Sequence, residues 1–205
     1  MNVRPDQLSH RDFYRILIGA VAPRPIAWVS TLSKDGRHNL APFSFFNVVS
    51  AKPPLLGFSP ALRQLENGHA PKDTLSNIRE TGEFVVNVVT FELAKAMNLT
   101  SGDYDPSVNE FDVAKLATRP SQLVRPPQVA ASPISFECRL HKVLDFGDAP
   151  PSGSLVIGEI VSVHMDENVL GEGRLDPQAL DLIGRMGGIE YTRTTQRFEL
   201  QRPKV

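Results

Sequence analysis

Apolar and polar residues alternate most regularly between Ile134 and Phe146. Ile134, Phe136, Cys138, Leu140, Leu144 and Phe146 fall on one face, and Ser135, Glu137, Arg139, His141 and Asp145 on the other. A period of two is the mark of a strand with one face against a core. Ile26–Leu32 reads as a second strand, and Ser33–Arg37 places Asp35-Gly36 at the centre of a turn. An extended segment over about 38–50 follows, so these two make the best hairpin signal in the chain. Leu55–Ser59 is a short strand between prolines. Phe84–Val89, Leu155–Met165 and Gln196–Leu200 complete the strand set.

Helical patterns are fewer and shorter. Ser9 to Asp12 has capping-box spacing ahead of an amphipathic helix that ends near Gly19. Asp73 reads as the N-cap of a helix stopped by Gly82. Two helices are predicted over about 91–99 and 108–117, the second announced by Ser107 and Glu110, and Asp176-Pro177 opens a last one. A proline-rich connection fills 119–133. Six or seven strands, hairpin connections in the first half and clustered helices predict a mainly β fold. The sheet is antiparallel and closed as a barrel, with short peripheral helices and a helical excursion at about 91–118. A doubly wound parallel sheet is the weaker reading. The 205 residues are read as one domain spanning 1–205.

Composition narrows the function classes. With 22 Lys+Arg against 23 Asp+Glu, the net charge is −1 and no long basic run suggests a nucleic-acid surface. The single cysteine, Cys138, rules out a disulfide framework and a multi-cysteine zinc site. No stretch approaches the roughly 18 apolar residues of a membrane span, and Met1–Asp12 lacks the apolar run of a signal peptide. A cytoplasmic protein is expected.

Several catalytic signatures are missing: G-x-G-x-x-G, the P-loop and G-x-S-x-G. The five histidines show no pair at ligand spacing, and Cys138 and His141 project from opposite faces of their strand. Two segments suggest chemistry. In Asn39-Leu40-Ala41-Pro42-Phe43-Ser44-Phe45-Phe46-Asn47, Pro42 removes a ladder donor, while three phenylalanines interleave with Ser44 and Asn47. That mixture suits a flat heteroaromatic ligand, and equally a core strand with two incidental polar residues. In Lys72-Asp73-Thr74-Leu75-Ser76-Asn77-Ile78, a helix start is flanked by an ammonium and hydroxyls, which suits a phosphate or an ordinary capped helix. A ring-binding strand beside a phosphate-binding helix start together describe a mononucleotide such as FMN.

The order of several blocks resembles the flavin reductase-like, flavoredoxin-type family. They are Arg24-Pro25-Ile26-Ala27-Trp28-Val29-Ser30-Thr31, then Asn39–Asn47, Pro53-Pro54, Phe58-Ser59, Lys72-Asp73-Thr74 with Asn77-Ile78, Gly82–Asn87, Gly158-Glu159, and Gly187-Gly188 with Tyr191. The likeness runs from about residue 13 to about 200. It implies an FMN-binding split β-barrel that forms homodimers, with flavin near the subunit interface. By the same resemblance Ser30, Thr31, Ala41, Pro42, Phe43 and Ser44 line the isoalloxazine and ribityl chain, with Asn47 a further contact. Ser59, Lys72, Asp73 and Thr74 bracket the phosphate. The activity implied is that of an NAD(P)H:flavin reductase supplying reduced flavin to a partner monooxygenase. One position departs from the pattern: where many such reductases carry a histidine five residues before Gly158-Glu159, this chain has Gly153. A flavin-binding electron carrier that NAD(P)H does not reduce is therefore the alternative.

Overall fold

The segment Ile26–Leu32 is apolar almost throughout because both of its faces are covered. In the computed structural model, which describes residues 1–204, strand β1 (Ala27–Leu32) sends Ala27 and Val29 into one core. Ile26 and Trp28 enter another. The first core fills the inside of the sheet with Phe43, Phe58, Phe84, Cys138 and Val156, closed at one side by Leu75 and Ile78. Rings of Phe43, Phe58 and Phe84 meet at centroid distances of 5.1 and 5.6 Å, in tilted and edge-on contacts. The second core lies outside β1, beneath Leu93, Met97 and Phe111, and the buried Trp28 donates its indole N–H to Thr100 Oγ1 at 2.9 Å.

Seven antiparallel strands form the main sheet: β1, β2 (His38–Phe43), β3 (Phe46–Ala51), β4 (Pro54–Phe58), β5 (Glu83–Asn87), β6 (Ile134–Asp145) and β7 (Ser154–Met165). Their order is β2-β1-β5-β6-β7-β4-β3. The two edge strands, β2 and β3, are separated in sequence only by Ser44 and Phe45. A flat sheet could not satisfy that, so the sheet curls until its edges approach. The single extended segment expected over 38–50 is thus two strands. Pro42 and Ser44 sit where the chain leaves one edge for the other, and the Phe45 carbonyl accepts from Ser59 N–H at 2.8 Å.

Helix α1 (His10–Ala20) begins as predicted, with Ser9 Oγ accepting from Asp12 N–H at 3.1 Å. Helix α2 (Asp73–Thr81) starts one residue away from expectation. Its N-cap is Lys72, while the Asp73 carboxylate turns to Arg63, and Gly82 ends it at a φ of 70° as predicted. The excursion contributes only α3 (Ala94–Leu99) and α4 (Glu110–Val113). Ser107 does not cap α4, because its hydroxyl bonds Asp105; Asn109 takes that role. Asp176 caps α5 (Pro177–Leu180). The expected strand at 196–200 does not form; a short ribbon instead pairs Ile183–Arg185 with Tyr191–Arg193.

The alternation of β6 holds to Leu140 and then reverses. A register shift between Leu140 and Lys142 moves Val143 onto the core and leaves Leu144 and Phe146 exposed. Its polar face is also not a solvent face, since Ser135 and Glu137 are fully buried beneath the proline-rich connection. Asn87 Oδ1 accepts from Val129 N–H and Ser135 Oγ, both at 2.9 Å. Glu137 accepts from the N–H groups of Gln122 (2.8 Å) and Leu123 (2.6 Å) and from Gln128 Nε2 (3.0 Å). Two buried side chains thereby tie the connection to the sheet.

Candidate functional site

Two cavities meet where β2 passes Pro42. The larger, of about 630 Å³, lies between α1, the end of β2 and the Gly187-Gly188 turn, and it includes Arg24, Ser44, Asn98, Arg185 and Tyr191. The smaller, of about 140 Å³, includes Ala41, Phe43, Arg63, Lys72, Asp73 and Asp103. Pro42 and Ser101 belong to both. A proline is suited to this wall, because its missing N–H leaves no unsatisfied donor at the end of the edge strand.

The smaller cavity is built on the start of α2. The N–H groups of Leu75 and Ser76 bond the Lys72 carbonyl, so those of Asp73 and Thr74 precede the helical ladder. The helix is held there by a buried cluster. Thr31 Oγ1 accepts from Asn39 Nδ2 (3.1 Å) and Asn77 Nδ2 (2.9 Å), and Thr74 Oγ1 accepts from Asn39 Nδ2 (2.9 Å). Thr31 and Thr74 therefore position α2 against β1 and β2 through their side chains.

Charges at this end are paired but not fully satisfied. Lys72 Nζ donates to Asp103 Oδ1 at 2.7 Å, and that bond holds the Asp103 carboxyl below its ordinary range. Arg63 Nη2 lies 3.3 Å from both Asp73 oxygens, while its buried Nε has no hydrogen-bond partner. The Lys72 ammonium, the Arg63 guanidinium and the helix-start N–H of Asp73 suit a phosphate in this cavity, which would have to compete with the Asp73 and Asp103 carboxylates for the two cations.

Glu110 closes the floor. It is 7% exposed and its Oε2 accepts from Leu40 N–H at 3.0 Å. Burial raises its carboxyl above the usual glutamate range, and the Leu40 N–H pulls it partly back. Because the folded value exceeds the unfolded one, the folded chain holds the extra proton between the two. Stability therefore falls as pH rises through that window. Glu110→Gln keeps the acceptor and removes the charge. Its urea midpoint is expected to exceed that of the native chain at pH 7, with the difference vanishing below about pH 4. A variant less stable at pH 7 would contradict this.

The structure gathers the expected residues unevenly. Ala41, Pro42, Phe43, Lys72 and Asp73 line the smaller cavity, and Pro42 and Ser44 line the larger. Ser30 is fully buried and donates to the Pro127 carbonyl, on the side of β1 away from Thr31. Asn47 is exposed on β3 with its Oδ1 accepting from Val48 N–H, and it lines neither cavity. Ser59 also lies outside both cavities and faces Gly153, where a Cβ would come within 2.9 Å of its Oγ. The sequence did not mark Arg63, Asp103 and Glu110 as site residues: they reach the cavity from a small ribbon, a loop and α4, and Glu110 stands out locally only as a capping-box position. Among the described residues there is no cluster of His, Cys, Asp and Glu that could hold a metal, and no helix long and apolar enough to cross a membrane.

The model of the flavin reductase like domain family matches residues 19–186. An uncharacterized protein of Halalkalibacterium halodurans is 41% identical over 100% of this chain and 98% of its own. Among solved structures, nitrilotriacetate monooxygenase component B from Bacillus cereus superposes with a TM-score of 0.90 at 34% identity, covering 98% of each chain. The Pseudomonas fluorescens 2-nitrobenzoate 2-nitroreductase NbaA gives a TM-score of 0.87 at 34% identity, covering 99% of this chain and 96% of that one.

Proposed function

The chain belongs to the flavin reductase-like family, its curled seven-stranded sheet being a split barrel, and from that membership we propose that it is an FMN-dependent oxidoreductase. The reading is an NAD(P)H:flavin reductase that supplies reduced flavin to a partner monooxygenase. The observation that carries it is the pair of cavities joined at Pro42 and Ser101, one suited to a phosphate and one, of about 630 Å³, with room for a planar ring at the Pro42 end and for a donor beside it. Lys72, Arg63 and the start of α2 would hold the FMN phosphate, and Ala41–Ser44 would line the ring system. The bound flavin supplies the hydride chemistry, and the chain's residues hold it and leave one face open to a donor. The partner oxygenase is supported by the likeness to a protein described as a monooxygenase component.

The same reading includes a homodimer in the cytoplasm. Edge strand β3 exposes Val48 and Val49, with Phe45 exposed beside it, a patch suited to a second copy. The carrier alternative is favoured by Gly153, which offers no imidazole to a donor and bridges Ala61. One anaerobic experiment separates the two. FMN-loaded protein mixed with NADH, and separately with NADPH, is expected to bleach at the flavin absorbance maximum within seconds with at least one donor. Flavin that stays oxidised with both would leave the carrier.

A further inference from the structure

Four arginines face the larger cavity: Arg11 and Arg15 from α1, Arg24 ahead of β1, and Arg185 from the ribbon after α5. Only Arg15 has a carboxylate partner, Asp12 at 3.2 Å. Arg24 is 6% exposed, yet every acceptor of its guanidinium is neutral. These are the carbonyls of Ile18 and Val21 (2.7 Å each) and Met186 (2.9 Å), with Ser44 Oγ at 3.4 Å. Arg185 donates to the Gly188 carbonyl at 2.6 Å and lies 4.4 Å above the Tyr191 ring. Arg11 has no ion-pair partner among the described residues.

Carbonyl oxygens solvate a guanidinium but do not cancel its charge. Three uncompensated positive charges thus surround one concave space, and low-dielectric walls concentrate their field there. Burial is the main cause that lowers the affinity of Arg24 for its proton; Tyr14 partly offsets it, and Arg185 adds a smaller repulsion. The remaining walls supply apolar and aromatic contact from Tyr14, Ile26, Pro42 and Met97. Four of the five Arg24 donors are taken up in joining α1 to Ser44 and the Met186 turn, so it mainly sets the shape and the field. Arg11 and Arg185 have donors left for a ligand.

We propose that this cavity binds a planar organic anion, the charged redox partner of the flavin, through Arg11 and Arg185. The anion is a carboxylate on an aromatic ring or the phosphate of a nucleotide donor. The role as redox partner rests on the proposed flavin position, whereas the anion site rests on the cavity alone.

Calorimetric titration of FMN-loaded protein with benzoate, benzamide and inorganic pyrophosphate tests it. At least one anion is expected to bind about tenfold or more tightly than the neutral amide, with the tighter anion naming the source. Arg11→Gln/Arg185→Gln is expected to lose about tenfold in that affinity, while Arg185→Lys stays within about threefold of the native chain. Arg11→Gln alone, on the exposed helix face, is expected to lose about threefold and serves if the double variant does not fold. Anions that bind no better than benzamide, or equally well to the native and Gln variants, would overturn the proposal. Failure of FMN to load would instead overturn the flavin reading, and the arginine dependence measured on the purified chain would still decide the anion site.

Discussion

Lys72→Ala is expected to weaken FMN binding by roughly 10- to 100-fold while riboflavin affinity changes by less than about twofold. Only FMN carries the phosphate that an ammonium at the start of α2 would hold. The native Lys72 is already bonded to Asp103 at 2.7 Å, so the phosphate competes for it with a carboxylate. Asp103→Asn is accordingly expected to tighten FMN rather than weaken it, because the amide is the poorer rival. Thr74→Ala acts differently. Its buried hydroxyl is engaged by Asn39 at 2.9 Å, so its loss reads mainly as about 1 kcal/mol of stability. Fluorescence quenching titrations of the two flavins against each variant provide the comparison. Equal losses for FMN and riboflavin in Lys72→Ala would put the phosphate elsewhere.

A second large effect is expected far from the cavities. Glu137→Ala should cost about 3–4 kcal/mol of unfolding free energy, because it strips one buried carboxylate from three donors at once. The N–H groups of Gln122 and Leu123 and the Gln128 amide would lose their acceptor beneath a proline-rich segment that has little regular structure of its own. Glu137→Gln retains one acceptor oxygen and should recover part of the loss. Urea denaturation of both variants measures it, and an alanine variant within about 1 kcal/mol of the native chain would show that the connection is held by other contacts.

Glu137 also marks how far the sequence could be read. Alternation in β6 correctly announces a strand, but it assigns Glu137 to solvent, because period two distinguishes faces without saying what covers each. The cover comes from residues 119–133, which carry no periodic signal at all. The hairpin of β1 and β2, the strand at Phe84 and the stop at Gly82 follow from local chemistry and were legible. The break at Ser44-Phe45 was not, since it arises from closing the sheet rather than from any breaker residue. The same limit applies to the cavities. Pro42 and Lys72 stand out in their own segments, whereas Arg63, Asp103 and Glu110 become neighbours only after the chain has folded.

The strand order carries a cost during synthesis. Strand β4 finds its inner partner only in β7, with Phe58 opposite Val156. Strand β1 must likewise wait for β5, with Trp28 opposite Asn87. Until the last long hairpin leaves the ribosome, the β1–β2 and β3–β4 hairpins each have an open edge and an unburied apolar face. Folding of this chain is therefore committed late, by β6 and β7, and truncations that stop short of Met165 should yield aggregating fragments rather than a smaller folded unit.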